Sequence, residues 1–308
     1  MAYLINLFKI LLYKIKKEKI IVINEAAGLG DYIWVRSYFK LIKNNEKYKD
    51  HKIFMLTTKR WTDFAKDFDS EYVDMFLPFK APYAPKFAEL LPLRLINADI
   101  FINFRANQNY WDKINNTVNA QIIIDNQNIT NKKVFYSERY NAIISQLLPI
   151  PSDWHHSLNY KTKVKKDYGD YILLVLSGYT EGKLTLHQLK IIINELLKKY
   201  NYPIMLLGQK KDSKTYNTLA TAGLKAHLIN GCNKFKTYEL PYIVDKAKLV
   251  ITPNTSTLHM AILLNKKTLC FNSSMKHLYQ SENITYITSS ERISTINDDT
   301  IIEAIQKF

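Results

Sequence analysis

The chain of 308 residues has only two cysteines, Cys232 and Cys270, with no Cys-x-x-Cys pair and no His/Cys cluster. That scarcity excludes a disulfide framework and a structural zinc site, and it fits a reducing cytoplasm. No apolar run is long enough to span a bilayer, and low-complexity tracts and repeats at solenoid periods are absent. Acidic residues are the scarcer charge, 28 against 43 basic ones, so the formal net charge is +15. A surplus of that size implies an anionic partner: nucleic acid, an acidic membrane or a phosphorylated substrate. Hydrophobic residues make up 47% of the chain, ample for the cores of two domains of ordinary size. Cys270 lies in the apolar run Thr268–Phe271 and reads as a small core residue.

The first 18 residues stand apart. Leu4, Leu7, Phe8, Leu11, Leu12 and Ile15 recur at helical spacing, with Lys9, Lys16 and Lys17 opposite and Lys14 at the edge. No basic n-region precedes an unbroken apolar core, so no signal peptide is expected. Either the stripe packs on the protein's own body, or residues 1–17 form a basic amphipathic helix that lies on an anionic membrane surface.

Beyond residue 18, strand-like and helix-like segments alternate. Strands are predicted at Lys19–Asn24, Ile53–Thr57, Val73–Leu77, Ile100–Phe104 and Gln121–Ile124, with helices from Tyr32 to about Asn44 and from Tyr136 to Leu148. After Pro149-Ile-Pro151 the text is polar and lysine-rich to Asp170, a linker pattern. Strands then resume at Tyr171–Leu176, Ile204–Leu207, Ala226–Ile229, Leu249–Thr252 and Thr268–Phe271. The expectation is an α/β protein with an N-terminal helix (1–18) and two Rossmann-like domains (19–160 and 161–308) whose parallel sheets face a central cleft.

Three segments could carry chemistry. Gly28-Leu-Gly30-Asp31 follows a strand and opens a helix, where glycines let backbone N–H groups approach a ligand closely. The third glycine of a dinucleotide fingerprint would fall at Ile33, and no Gly-Lys-Ser/Thr follows, so neither that motif nor a P-loop is present. Asp31 taken alone reads more readily as a helix N-cap. Ser177-Gly-Tyr-Thr-Glu-Gly-Lys183 offers hydroxyls and a lysine between a strand and a helix, suited to a diphosphate, or else forms a solvated loop. Asn254, Thr255, Ser256 and His259 open the helix after the third segment's strand; Asn254 and Thr255 are candidate caps, and together these residues are a candidate anion site. Asp67-Phe-Asp69 has the form of a metal-binding Asp-x-Asp, but its charged surroundings and the lack of a preceding buried strand predict an exposed helix end, and no metal site is expected.

In this order and at this separation, the three segments resemble glycosyltransferase family 9, the ADP-heptose:lipopolysaccharide heptosyltransferases. Ile20–Arg36 is similar to the family's opening strand, Leu-Gly-Asp turn and first helix. Gly182–Leu186 resembles its lysine-containing loop, Met205-Leu-Leu-Gly208 its next strand with a glycine at the end, and Leu249–His259 its strand, small polar turn and His-Leu pair. Asn254 and Ser256 stand where the family usually has Asp and Gly, and Asn272-Ser-Ser replaces a Gly-Pro-Thr. The resemblance implies a GT-B fold, acceptor binding by the first domain and donor binding by the second. It implies inverting transfer without a metal or other cofactor. It further implies Asp31 as base beside Gly28 and Gly30, with Lys183, Gly208, Asn254, Thr255, Ser256 and His259 around the nucleotide sugar, ADP-heptose first. The acceptor implied is an anionic glycolipid or oligosaccharide of lipopolysaccharide biosynthesis, and the location is cytoplasmic, peripheral to the inner membrane. Two rivals remain: a catalytically silent sugar-nucleotide binder, and a basic nucleic-acid binder, for which no recognisable motif is found.

Overall fold

The computed structural model describes residues 2–81, 85–105, 112–126, 135–162, 164–176, 183–273 and 278–308. The chain divides into two compact units, Met1–His156 and Ser157–Phe308. The first runs α1 (Ala2–Ile15), β1 (Ile20–Asn24), α2 (Leu29–Val35), α3 (Ser37–Lys43), β2 (Lys52–Thr58), α4 (Thr62–Asp69), β3 (Met75–Phe79), α5 (Phe87–Leu95), β4 (Asn97–Asn103), α6 (Asp112–Asn115), β5 (Asn119–Asp125) and α7 (Tyr136–Ile144). Its sheet is parallel throughout, in the order β3-β2-β1-β4-β5. Ile20–Ile23 explain why β1 is central: all four are buried, as a strand covered on both faces requires.

The second unit runs β6 (Ile172–Val175), α8 (Leu186–Lys199), β7 (Ile204–Leu207), α9 (Ser213–Leu219), β8 (Leu228–Asn230), α10 (Leu240–Lys246), β9 (Leu249–Pro253), α11 (Ser256–Leu263), β10 (Thr268–Asn272), β11 (Ile284–Thr288) and α12 (Asp298–Lys307). Its six strands are again all parallel, ordered β11-β10-β9-β6-β7-β8. α8 starts at a capping box: Thr185 Oγ1 accepts from the Gln188 N–H, and Gln188 Oε1 accepts from the Thr185 N–H (2.9 Å). The amide of Gln188 then donates to Ile293 O and Ile296 O, which ties the helix to the segment before α12. Both cysteines are buried thiols, Cys270 among the core strands.

Several element boundaries differ from the sequence reading for local reasons. The helix expected over Tyr32–Asn44 is two short helices joined at Arg36. Val73 is not in β3, because its N–H and that of Tyr72 close the turn after α4 by bonding Asp69 O. Lys225–His227 form a single 3₁₀ turn, so β8 begins at Leu228. The Asp67–Asp69 segment needs a larger correction. It follows a buried strand, β2, and Asp69 is itself fully buried at the end of α4. Asp69 accepts from the Tyr32 hydroxyl (2.6 Å) and pairs with Arg36 (Nη2 to Oδ1, 2.9 Å). That ion pair fastens α4 to α2, and only Asp67 is exposed.

α1 also departs from the reading of its apolar stripe. The helix packs on its own unit through Asn6, Ile10 and Tyr13, whereas Phe8, Leu11, Leu12 and Ile15 of the predicted stripe are exposed. Among the described residues no helix is long and apolar enough to cross a membrane.

Candidate active site

In an open parallel sheet, ligands sit beyond the carboxyl ends of the strands, where the strand order reverses direction. In the first unit that point lies between β1 and β4, and the two strands end in register at Asn24 and Asn103. Both asparagines are buried, and Asn24 Nδ2 donates to Asn103 Oδ1 (3.0 Å). Each also accepts from the backbone N–H two residues on, Asn24 from Ala26 (3.4 Å) and Asn103 from Arg105 (3.0 Å). These Asx turns bend both chains off the sheet at the same level. Glu25 and Arg105 are thereby brought face to face across 80 residues of sequence.

Glu25 and Arg105 form a buried ion pair. Arg105 donates to Glu25 Oε1 through Nε (2.7 Å) and through Nη2. The same Nη2 lies 2.8 Å from Asp31 Oδ2, so one guanidinium serves two carboxylates. The Tyr140 hydroxyl of α7 lies against both, 3.4 Å from Glu25 Oε2 and 3.3 Å from Asp31 Oδ1. Of the two acids, Glu25 is wholly enclosed and the Asp31 side chain keeps 20% of its surface. Burial pushes the Glu25 carboxyl up to about 7, against the pull of Arg105, and Asp31 adds to the rise. Arg105 is held above its ordinary value despite burial, by Asp31 and Glu25. Burial and the two carboxylates likewise push Tyr140 well up, so it stays a hydroxyl donor.

Gly28, not Asp31, holds the N-cap position of α2. Asp31 is the third helical residue, and its carboxylate folds back over the start of the helix. A Cβ on Gly28 would stand 3.0 Å from Asp31 Oδ2, so the absent side chain is what leaves the carboxylate its place. Gly30 is buried between them.

In the second unit the order reverses between β6 and β9. Residues 177–182, after β6, lie outside the described part; Lys183, which follows them, is described. Its ammonium is 2.9 Å from Oδ1 of the buried Asp212, which also accepts from the Gln209 N–H (2.8 Å). Gly208, at the end of β7, makes room for this pair, since a Cβ there would meet Asp212 Cβ at 2.7 Å. β7 adjoins β6, so Lys183, Gly208 and Asp212 form one group. After β9, Thr255 is the N-cap of α11: its Oγ1 accepts from the Thr257 N–H (3.3 Å) and lies 3.3 Å from Thr252 Oγ1. The capping explanation therefore holds for Thr255. Asn254 contributes no cap and instead reaches Asn272 Oδ1 on β10 (3.4 Å). Ser256 opens the helix half-buried, and His259 is almost enclosed in its first turn at 7% exposure.

Glu25, Arg105, Tyr140 and Asp212 were not among the residues singled out from the sequence. Glu25 and Arg105 did carry a signal, a charge placed within two residues of the end of a buried parallel strand. Tyr140 and Asp212 carried none. Among the described residues no group of three or more His, Cys, Asp or Glu side chains could hold a metal ion.

No protein-family model matches the sequence, and no curated protein does. Solved structures match over nearly the whole chain. One is a glycosyl transferase of family 9 from Veillonella parvula, at 13% identity, TM-score 0.69, and 94% and 96% coverage of this chain and that one. Another is the Escherichia coli heptosyltransferase WaaC with ADP-2-deoxy-2-fluoro heptose, at 14% identity, TM-score 0.69, and 94% and 99% coverage. A more distant one is TibC of enterotoxigenic E. coli, a dodecameric iron-containing heptosyltransferase in complex with ADP-D-β-D-heptose. It matches at 10% identity, TM-score 0.55, and 94% and 76% coverage. The likeness shows the fold: two successive Rossmann-like α/β units, the GT-B architecture of glycosyltransferases.

Proposed function

We propose that the protein is an inverting glycosyltransferase that moves a sugar, heptose from ADP-heptose first, onto a hydroxyl of an anionic glycolipid or oligosaccharide acceptor. The observation that carries this reading is Asp31. It is the one partly open carboxylate in a buried network at the first unit's switch point, held there by Arg105 and given room by Gly28. In the proposed step an Asp31 oxygen takes the proton of the acceptor hydroxyl as that oxygen bonds to the anomeric carbon from the face opposite the nucleotide. The bond from the anomeric carbon to the phosphate oxygen breaks, and the nucleoside diphosphate leaves with the electron pair. The growing negative charge falls to the second unit, to Lys183, the Thr255 hydroxyl and the N–H groups that open α11. No metal is assigned a part in this scheme. The ADP-sugar ligands of the structural neighbours support a nucleotide-sugar donor. The net charge of +15 suits both an anionic acceptor and a diphosphate. Buried free cysteines suit a cytoplasmic setting.

The test has two stages. A thermal-shift screen of sugar nucleotides should find one that raises the melting temperature, as a ligand specific to the folded state does. With that donor and a soluble acceptor, Asp31→Asn should keep the fold and donor affinity, while turnover falls by roughly 10²-fold or more. Near-normal turnover would remove Asp31 from the mechanism. Donor binding with no transfer by the unaltered protein would favour a silent sugar-nucleotide binder.

A further inference from the structure

α1 has two opposite faces, and only one is used. Inward, Asn6 Nδ2 donates to Phe76 O of β3 (3.3 Å), Ile10 is 1% exposed, and the Tyr13 ring lies 5.3 Å from that of Phe54 on β2. At about 100° per residue, the middle of this face is directly opposite the middle of a stripe formed by Ile5, Phe8, Leu11, Leu12 and Ile15. Those five side chains are 48%, 63%, 46%, 39% and 76% exposed. Five large apolar side chains on one 14-residue helix are a contiguous surface, not scattered exceptions.

Charge borders that surface. Lys9 and Lys14 fall along its two edges, Lys16 and Lys17 follow at its end, and α1 contains no acidic residue. The end of the helix adds a second observation. Lys17 has φ +54°, its N–H bonds Lys14 O (3.1 Å), and the next N–H, of Glu18, reaches back to Tyr13 O (3.1 Å). This left-handed closing position is ordinarily glycine, yet here a lysine occupies it.

We propose that the outer face of α1 docks the protein on an anionic phospholipid surface, with the five apolar side chains among the acyl chains and the lysines at the headgroups. The helix lies along the surface; at about 21 Å it is too short to cross a bilayer. A second copy of the chain would cover the same apolar atoms, but two copies would bring their lysine borders together, whereas anionic headgroups complement them. This inference goes beyond the sugar-transfer reading and does not depend on Asp31.

The test is sedimentation of the full chain with vesicles of phosphatidylcholine, with or without phosphatidylglycerol. Binding to the anionic vesicles is expected at low salt, with at least tenfold weaker binding to neutral vesicles and a clear loss as salt rises. The double variant Phe8→Ser/Leu11→Ser should keep its melting temperature, because neither side chain packs inward, and should lose tenfold or more in vesicle affinity. The Asp31→Asn protein should bind as the unaltered one does, so this result and the transfer assay fail separately. Full-length protein left in the supernatant at low salt would overturn the proposal. So would vesicle binding that survives the double variant. Light scattering that shows a dimer dissociated by the same two substitutions, without vesicle binding, would assign the face to a second copy instead.

Discussion

Asp31 and Glu25 are bridged by a single guanidinium, with Arg105 Nη2 2.8 Å from Asp31 Oδ2 and Arg105 Nε 2.7 Å from Glu25 Oε1. One positive charge is thus divided between an enclosed carboxylate and a partly open one. The basicity of the open one depends on how much of Arg105 the enclosed one holds.

Glu25 therefore has a consequence for both activity and stability. Its carboxyl rises from 4.5 to about 7 on folding, so the folded protein holds that proton more tightly than the unfolded chain. The stability from this proton is fully present below about 4.5 and is lost as pH rises through about 7, at up to about 1.4 kcal/mol per pH unit. Glu25→Gln should abolish that decline, which melting curves between these two pH values would detect. In the same variant Arg105 acts on Asp31 alone and weakens it as a base, so turnover at neutral pH should fall by roughly three- to tenfold. Parallel stability profiles for the variant and the unaltered protein would show that Glu25 does not titrate here.

Lys183 and Asp212 supply the second prediction. Lys183→Ala should weaken nucleoside diphosphate binding by about 1–3 kcal/mol, the scale of a lost charge-assisted hydrogen bond. Gly208→Ala should act on the same site indirectly, since its Cβ would meet Asp212 Cβ at 2.7 Å and displace the lysine's partner. The displacement should cost about 1–3 kcal/mol of stability in addition. Calorimetric titration of both variants checks this, and unchanged diphosphate affinity in Lys183→Ala would move the donor's phosphates elsewhere.

Metal dependence is the third test. Activity is expected to persist in EDTA, because the leaving group's charge is assigned to Lys183 and backbone N–H groups. Transfer that stops in EDTA and returns with an added divalent ion would overturn that assignment.

Lys17 provides a test in which stability and surface binding move in opposite directions. Lys17→Gly relieves the left-handed backbone and should stabilise the protein by about 0.5–1 kcal/mol after the extra freedom of the unfolded chain is counted. The lost lysine should cost about 1 kcal/mol of affinity for anionic vesicles. Denaturant melts and vesicle sedimentation on one preparation measure both.

The sequence by itself determined the two α/β units, because strands buried on both faces must be written as apolar runs such as Ile20–Ile23 and Ile172–Val175, with amphipathic helices between them. It also marked Asp31, since a carboxylate after Gly28 and Gly30 at the end of such a strand is a local pattern. Only the tertiary structure decided what surrounds Asp31. Arg105 and Tyr140 come from 74 and 109 positions away, and strand order, which no local spacing encodes, puts β4 beside β1. Asp69 was misread for the same reason: its charged neighbours predict exposure, but Arg36 and Tyr32 on another helix enclose it. In α1 the pattern allowed more than one face to be buried. The contact with β2 and β3 selected Asn6, Ile10 and Tyr13, and left the larger apolar face outside, because a helix packed against a sheet can bury only one side.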